Sequence, residues 1–509
     1  MTAFDPASEA SESDSPPPPP EVAEPGLALE FALEPGTAQR LSRHPVIASH
    51  RAGRSRGGAE ELIWLDSAKG ALAEDGLALE APQRGPRRLL RSLPDSALPA
   101  MPGCPAVEEA VLKLPDATLV PVAAFSGRRS QIPLALAEGP VTATLRLGKL
   151  RAVADEAPIA RLLLRGPAEA VLALARQLTA DLPLLPATVS LPEAGRALAR
   201  GEAPRPRWLG APDLGQARTV EEAFLAALGQ LLEVMLHHAP LCRAEAGPEG
   251  VHQLRVALRR LRSVLKVLRP ALRGSPAEEF DQGLKALADK LGPARDWDVF
   301  LLGQGAAVAE AFPGDKRLAA LLKAAEARRQ AAYAALRQAL DGPGFRLLVL
   351  HGLGLLLLRP WRAPQPEGEK PRLLPETPLG EFAAPLLDRR WAKLAAAGEE
   401  IAAHGPEALH EMRLDAKRLR YAAELFAPLW PGKPARRFLR RLAALQEALG
   451  LANDAAVARA LVASLGGTVP GWAVGAVEGW AAARARPARK HALEAWANLK
   501  LAPAFWPEV

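Results

Sequence analysis

Segments of alternating apolar and polar residues dominate the chain from Leu27 to about Arg200, whereas apolar residues recur every three to four positions from Ala217 onward. A period of two marks half-buried strands, and a period of 3.6 marks amphipathic helices. LALEFAL (Leu27–Leu33), ELIWLD (Glu61–Asp66) and TATLRLG (Thr142–Gly148) are therefore predicted strands, and AEAVLALARQLTADL (Ala168–Leu182) a helix. Residues 26–200 should form an α+β domain. The Pro/Gly/Arg-rich stretch 201–216 reads as a linker, and residues 217–509 as an all-helical domain, so the chain is multidomain. The longest apolar run, Leu347–Leu358, is too short to span a bilayer and reads as a buried core helix, so no membrane partner is expected. Residues 1–25, acidic and proline-rich, cannot bury enough apolar surface to offset their ordering entropy and are expected to be disordered.

The helical part contains a duplication. GPEGVHQLRVALRRLR (Gly247–Arg262) and GPEALHEMRLDAKRLR (Gly405–Arg420) are near-copies 158 positions apart, and LGPARD ending at Asp296 matches LGLAND ending at Asp454 at the same offset. Register held that far implies a repeated helical unit. The break at Trp361–Pro378 separates two repeats, about 217–342 and 379–509.

Each near-copy opens with Gly-Pro, and proline suits the first turn of a helix, where its missing N–H is not needed. At about 100° per residue, Leu254, Leu258, Leu261, Leu265 and Leu268 form an apolar stripe, and His252, Arg255, Arg259, Arg262 and Lys266 form a basic one roughly 110° away. The second copy repeats this with Met412, Leu419, Ala423 and Phe426 against His410, Arg413, Lys417 and Arg420. Arg260, Arg418 and Arg269 project elsewhere. Like charges at this spacing repel by a few tenths of a kcal/mol per pair. A bound linear anion would relieve that repulsion, and the helix N-terminus beside each histidine adds to the attraction. Asp296 and Asp454 each follow a Leu-Gly pair, a pattern that suggests a helix-ending glycine followed by an N-cap aspartate.

Net charge sharpens this picture. The chain carries +7 overall, but residues 1–200 hold 21 basic against 24 acidic residues, and residues 201–509 hold 43 against 33. A polyanion-binding surface is thus expected in the helical part. Cys104 and Cys242 show no disulfide or zinc spacing, so a reducing cytoplasm is the expected setting. His252 and His410 lack neighbouring ligands at coordination spacing, so no metal is expected. No nucleophile–base pair or glycine-rich phosphate loop stands in the helical half, so it reads as a binder without catalytic residues or cofactor.

VHxxRVxxRRLR (Val251–Arg262) and LHxxRxxxKRLRY (Leu409–Tyr421), each followed by LGxxxD, resemble the CHAD family, the conserved-histidine α-helical domain. The resemblance covers about Ala217–Val509. It implies two four-helix bundles related by pseudo-twofold symmetry, with a basic channel or face that binds inorganic polyphosphate. By motif position the implied ligands are His252, Arg255, Arg259, Arg262, Lys266, His410, Arg413, Lys417 and Arg420. The neighbouring Arg260 and Arg418, and Arg436, Arg437, Arg440 and Arg441 after the second motif, join the candidate set.

CHAD domains often follow a CYTH domain, a triphosphate tunnel, and residues 26–200 resemble a degraded one. In LALEFALEP, Ala28 and Ala32 stand where the ExExK motif has its first glutamate and its lysine, leaving Glu30. Glu80 stands where an arginine belongs, and the paired carboxylates expected near Pro158–Gly166 are missing. Arg128 and Arg129 read as exposed arginines. A tunnel triphosphatase needs carboxylates for divalent metal and cations for phosphate. The expectation is an inactive CYTH-like fold joined to a non-enzymatic polyphosphate-binding domain, on polyphosphate granules of the cytoplasm. The alternatives are a metal-dependent inorganic triphosphatase and a nucleic-acid binder. No aromatic residues interleave with the basic stripes to stack bases, so nucleic acid is the weaker alternative.

Overall fold

The computed structural model describes residues 26–92, 101–108, 118–203, 212–364 and 373–507. The proline-rich segment 1–25 and the central parts of the linker and of the inter-repeat break lie outside them. Among the described residues nine strands form one antiparallel sheet: β1 (Leu27–Leu33), β2 (Arg56–Ser67), β3 (Leu77–Pro82), β4 (Arg88–Arg91), β5 (Val107–Glu108), β6 (Leu119–Leu136), β7 (Gly139–Arg151), β8 (Glu156–Gly166) and β9 (Leu185–Pro186). Their order is β5-β4-β3-β2-β6-β7-β8-β1-β9. All three predicted strands are present.

The sheet curves into a half-barrel whose two edges are joined by one short segment. Gly103 accepts from Glu30 N–H and donates to Ala187 C=O at the β1–β9 edge, and a few residues on Val107–Glu108 pairs with β4 at the other edge. Covering the edges removes unpaired backbone groups that would otherwise invite aggregation. The convex face carries Leu29, Phe31, Ile132, Leu134, Ala143, Leu162 and Leu164, all buried. Helices α1 (Pro35–Leu41), α2 (Pro45–His50) and α4 (Ala168–Asp181) cover it, while α3 (Ala71–Glu74) and α5 (Leu191–Ala199) pack near β2, β3 and β6.

The helical part comprises α6 (Val220–His238), α7 (Glu249–Val267), α8 (Arg269–Leu272), α9 (Ala277–Val299), α10 (Ala306–Ala311), α11 (Lys316–Asp341), α12 (Pro343–Leu358), α13 (Leu379–Glu399), α14 (Pro406–Phe426), α15 (Lys433–Ala448), α16 (Leu451–Ala463), α17 (Gly471–Ala485) and α18 (Ala488–Lys500). Helices α6, α7, α9 and α12 pack as one four-helix bundle, and α13, α14, α15 and α18 as the other. The 158-residue offset superposes α6 on α13, α7 on α14 and the start of α9 on α15. The ends of the two repeats also meet. Trp297, Phe300, Leu318 and Leu321 of the first repeat share a separate apolar core with Val462, Leu465, Ala473 and Val477 of the second.

LGPARD departs from its expected role. Helix α9 runs without interruption through Gly292 and Pro293, so Asp296 lies within a helix and caps nothing. In the second copy the helix does break, at Leu449–Gly450, but Asp454 falls inside α16. The first copy stays continuous because its buried residues, Leu284, Leu287, Leu291, Ala294 and Trp297, keep one helical period across the Gly-Pro pair. The proline follows a solvent-facing course that removes one backbone bond without ending the helix.

The apolar run at Leu347–Leu358 is the buried helix α12, and it joins the two halves of the molecule. One flank packs on α6, α9 and α11, and the other receives α4 of the half-barrel. A helix apolar on every side is stable only when covered on every side. Val171, Leu172, Leu174 and Leu178 of α4, with Val349, Leu353 and Leu356 of α12, are fully buried in one cluster that reaches from β1 to Trp506. The Arg346 side chain reaches from α12 to the carbonyl of Thr179 at 3.5 Å. Among the described residues, Val220–Leu241 is also long and apolar enough to cross a membrane, and 78% of its most apolar window is buried inside the fold.

This docking has a measurable consequence. Leu174→Ala should lower stability by about 2–5 kcal/mol, although it lies on the half-barrel side. Residues 212–509 alone should expose the α4-facing flank of α12 and bind a hydrophobic dye strongly, which fluorescence titration against the full chain checks.

Candidate polyanion-binding site

Helices α7 and α14 pack directly on each other and bring the two near-copies together. Their buried residues are those of the predicted apolar stripes: Leu254, Leu258, Leu261 and Leu265 on one side, Met412, Leu419, Ala423 and Phe426 on the other. The tie between the helices is polar. The Arg259 guanidinium lies 5.2 Å from the centroid of the Tyr421 ring, a cation–π contact worth about 0.5–2 kcal/mol. An aromatic ring does stand at the basic stripe, contrary to the sequence reading, but Arg259 takes its face.

Around this crossing the positive charges crowd. Arg260, half-buried, has its pKa lowered by burial and by Arg259 and Arg420, against the pull of Glu424. His252 is faced by Arg255, Arg259 and Arg295 together with Glu249; burial, then these arginines, lowers its pKa. Asp296 stands beside Arg255 and Arg295, yet burial raises its carboxyl above the usual range. Arg295 and Asp296 thus belong to the patch, and the capping assignment had hidden them. The signal available in the sequence was the repeated Leu-Gly. The Arg255 Nη1 lies 4.0 Å from where a side chain on Gly292 would begin, and the Arg413 Nη2 lies 3.6 Å from the same point on Gly450. The motif arginine of each copy thus lies in ordinary contact range of its glycine, and Gly292 and Gly450 share the 158-residue offset.

The candidate residues differ in how committed they are. Arg255, Arg259 and Lys266 are exposed, as is His410 at the start of α14. Arg413 and Lys417 are half-buried, and the Arg413 Nε has no hydrogen-bond partner. Arg262 donates to Asp281 at 2.8 Å, and Arg420 donates to Glu424 at 2.7 Å and to Gln446 at 3.1 Å. Arg418 donates to Asp415 at 2.7 Å, a carboxylate also held by Lys393 at 3.1 Å, so it faces α13 and lies away from the crossing. Lys266 sits at the far end of α7, with Arg269, beside a cavity of 220 Å³ that also meets Glu278 and Asp281. On α15, Arg436, Arg437 and Arg440 are exposed and Arg441 is half-buried with Nη1 unpartnered. They lie roughly 80–180° around that helix from Gln446, the residue that meets Arg420. No cluster of metal-ligating side chains occurs among the described residues.

The half-barrel's concave face carries more charge than its motifs predicted. Strand register places Glu30, Arg161, Arg146, Arg129, Glu60, Glu80 and Arg88 on one side of the sheet: Arg161 opposes Ala32 and Arg146, Arg129 opposes Arg146, and Glu80 opposes Trp64 and Arg88. Arg129 is therefore half-buried within the concavity, while Arg128 is exposed as expected. The carboxylates are committed to arginines. Arg146 donates to both oxygens of Glu60 at 2.7 and 3.4 Å, with Arg129 at 3.9 Å. Glu80 accepts from Trp64 Nε1 at 3.1 Å and from Arg88. Glu30 is buried, which raises its pKa against the pull of Arg161 and Arg146. A cavity of 820 Å³ opens at the Arg56, Arg84, Arg88 and Arg129 end.

Residues 226–463 match the family model of the CHAD domain. The chain is 30% identical to the CHAD domain from the plant Ricinus communis, a match covering 59% of this chain and 99% of that one at a TM-score of 0.49. It is 19% identical to PptA from Streptomyces chartreusis, covering 55% of this chain and 100% of that one at a TM-score of 0.42. No curated protein matches the chain. The chain belongs to the CHAD family; the match begins inside α6, so the half-barrel lies outside it.

The raised Glu30 pKa sets a stability dependence. A carboxyl with a higher pKa folded than unfolded makes the protein lose stability as pH rises through the window between the two. Glu30→Gln removes that loss, so the melting temperature of the variant relative to wild type should rise as pH increases above the ordinary glutamate pKa of about 4. Thermal scans at several pH values check this, and an opposite trend would place the arginine attraction above the burial effect.

Proposed function

We propose that this protein is a non-enzymatic binder of inorganic polyphosphate, acting on polyphosphate granules of the cytoplasm. The observation that carries the reading is the gathering of cations along α7: Arg255, Arg259 and Arg295 face His252, Arg255 and Arg295 stand beside Asp296 of α9, and Arg259 and Arg260 stand by Tyr421 of α14. Cations of one sign held close by the packing beneath them favour any ligand that brings repeated negative charge. Polyphosphate supplies such charge as a linear chain able to follow α7 across to α14. The CHAD family assignment supports the same ligand.

The half-barrel supports the non-enzymatic part of the reading. A divalent metal needs carboxylate oxygens that are free to coordinate it. Glu60 and Glu80 are bound to arginines, and Glu30 is buried, which raises its pKa against the pull of Arg161 and Arg146. The concavity thus resembles a CYTH tunnel in outline and keeps its charges for internal pairing.

Binding of long-chain polyphosphate to the full chain tests the first part. Arg255→Ala/Arg259→Ala/Arg262→Ala and Arg413→Ala/Lys417→Ala/Arg420→Ala should each weaken binding strongly, whereas Arg418→Ala, already committed to Asp415, should change it less than Arg259→Ala. With about six phosphate contacts and the single-strand relation of roughly 0.7 per contact, affinity should fall a few-hundred-fold between 50 and 200 mM salt. A triple variant that stays folded with wild-type affinity and salt dependence, or single-stranded RNA competing as well as polyphosphate, would overturn the reading.

Tripolyphosphate incubated with the full chain and Mg²⁺ or Mn²⁺ should release no phosphate above background. Turnover that Glu30→Gln abolishes would show that the half-barrel is a working triphosphatase.

A further inference from the structure

Two titratable groups in the first repeat's patch, His252 and Asp296, stand among cations. His252 is half-buried on α7, with Arg255 and Arg259 on its own helix, Glu249 one turn before it, and Arg295 reaching from α9. Asp296, next to Arg295, faces Arg255 as well. The arrangement is fixed by the packing of α7 on α9, where Arg255 lies over Gly292, one turn before Asp296. From α6, His238 is held neutral, since burial and His237 push it down to about 4. From α14, burial raises the pKa of Tyr421, which therefore stays uncharged. The second repeat is not equivalent: Asn453 stands where the first has Arg295.

An anion seated here reverses the balance at both groups. At His252 it replaces the repulsion of three guanidinium groups with attraction, and at Asp296 it opposes ionisation of a carboxyl that burial already disfavours. We propose, building on the polyphosphate reading, that binding at the first repeat is coupled to uptake of protons by His252 and Asp296. Protonation of the imidazole adds one more cation and a second N–H donor. The protonated carboxyl ceases to compete with phosphate for Arg255 and Arg295 and can itself donate a hydrogen bond to a phosphate oxygen. Both groups have a higher pKa with the anion bound than without it. The added affinity is thus fully present below the free pKa values and is lost as pH rises through the bound ones.

Calorimetric titration of the full chain with long-chain polyphosphate, in buffers of different ionisation enthalpy, reads binding and proton uptake separately. Wild type should bind with net uptake, and its affinity should fall by up to about tenfold per pH unit for each proton taken up. Ionisation of the ligand's terminal phosphates acts in the opposite direction and is common to all variants. His252→Gln should reduce the uptake, and His252→Gln/Asp296→Asn should abolish it, with circular dichroism confirming that both are folded. Binding by wild type with no buffer dependence would overturn the proposal and leave the polyphosphate reading standing, as would uptake by the folded double variant equal to wild type. Absence of binding in every buffer would overturn the polyphosphate reading itself, and this proposal with it.

Discussion

Apolar packing beneath α7 and α14 holds together charges that would otherwise move apart. Each like-charge neighbour on an isolated helix costs a few tenths of a kcal/mol, and the crossing adds cations from α9 and from the opposite repeat. Fully burying one leucine contributes about 1.5–3 kcal/mol, so the stripe of Leu254, Leu258, Leu261 and Leu265 outweighs the repulsion of the arginines above it. The protein thereby stores electrostatic repulsion in a rigid frame. A ligand that neutralises the patch recovers that repulsion as binding energy without reorganising the helices.

The duplication has diverged most where charge meets solvent. In the first copy Arg255 and Arg259 are exposed, and Arg295 enlarges the patch. In the second, Arg413 and Lys417 are half-buried, Arg420 is bound to Glu424 and Gln446, and Arg418 is bound to Asp415. The helix that is continuous as α9 is split by Leu449–Gly450 into α15 and α16. Both copies bind their last motif arginine to a carboxylate, Arg262 to Asp281 and Arg420 to Glu424, and the first leaves Arg255 and Arg259 exposed.

Periodicity made much of this legible in advance. Strands β1, β2 and β7, helix α4 and both apolar stripes followed from periods of 2 and 3.6, because those patterns report directly which side of an element is buried, and α12 followed from its unbroken apolar run. Capping failed at LGPARD because a Gly-Pro pair is a local signal, and continuous burial from Leu284 to Trp297 overrode it. The concave face of the half-barrel was misjudged for a different reason. Motif positions ask whether a particular residue type is present, while Glu60, Glu80 and Arg146 acquire their meaning from cross-strand register between distant segments. The commitment of Arg262, Arg418 and Arg420 to carboxylates was likewise invisible, since Asp281, Asp415 and Glu424 are unremarkable until the helices pack.

The separate core shared by the ends of the two repeats bears on how the chain is made. The cluster of Trp297, Phe300, Leu318 and Leu321 is completed by Val462, Leu465, Ala473 and Val477, well over a hundred residues later. At ribosomal speeds of about 5–20 residues per second, that surface waits on the order of ten seconds for its complement. During this interval the nascent first repeat presents an uncovered apolar flank, the kind of surface that chaperones bind while a chain is still being made.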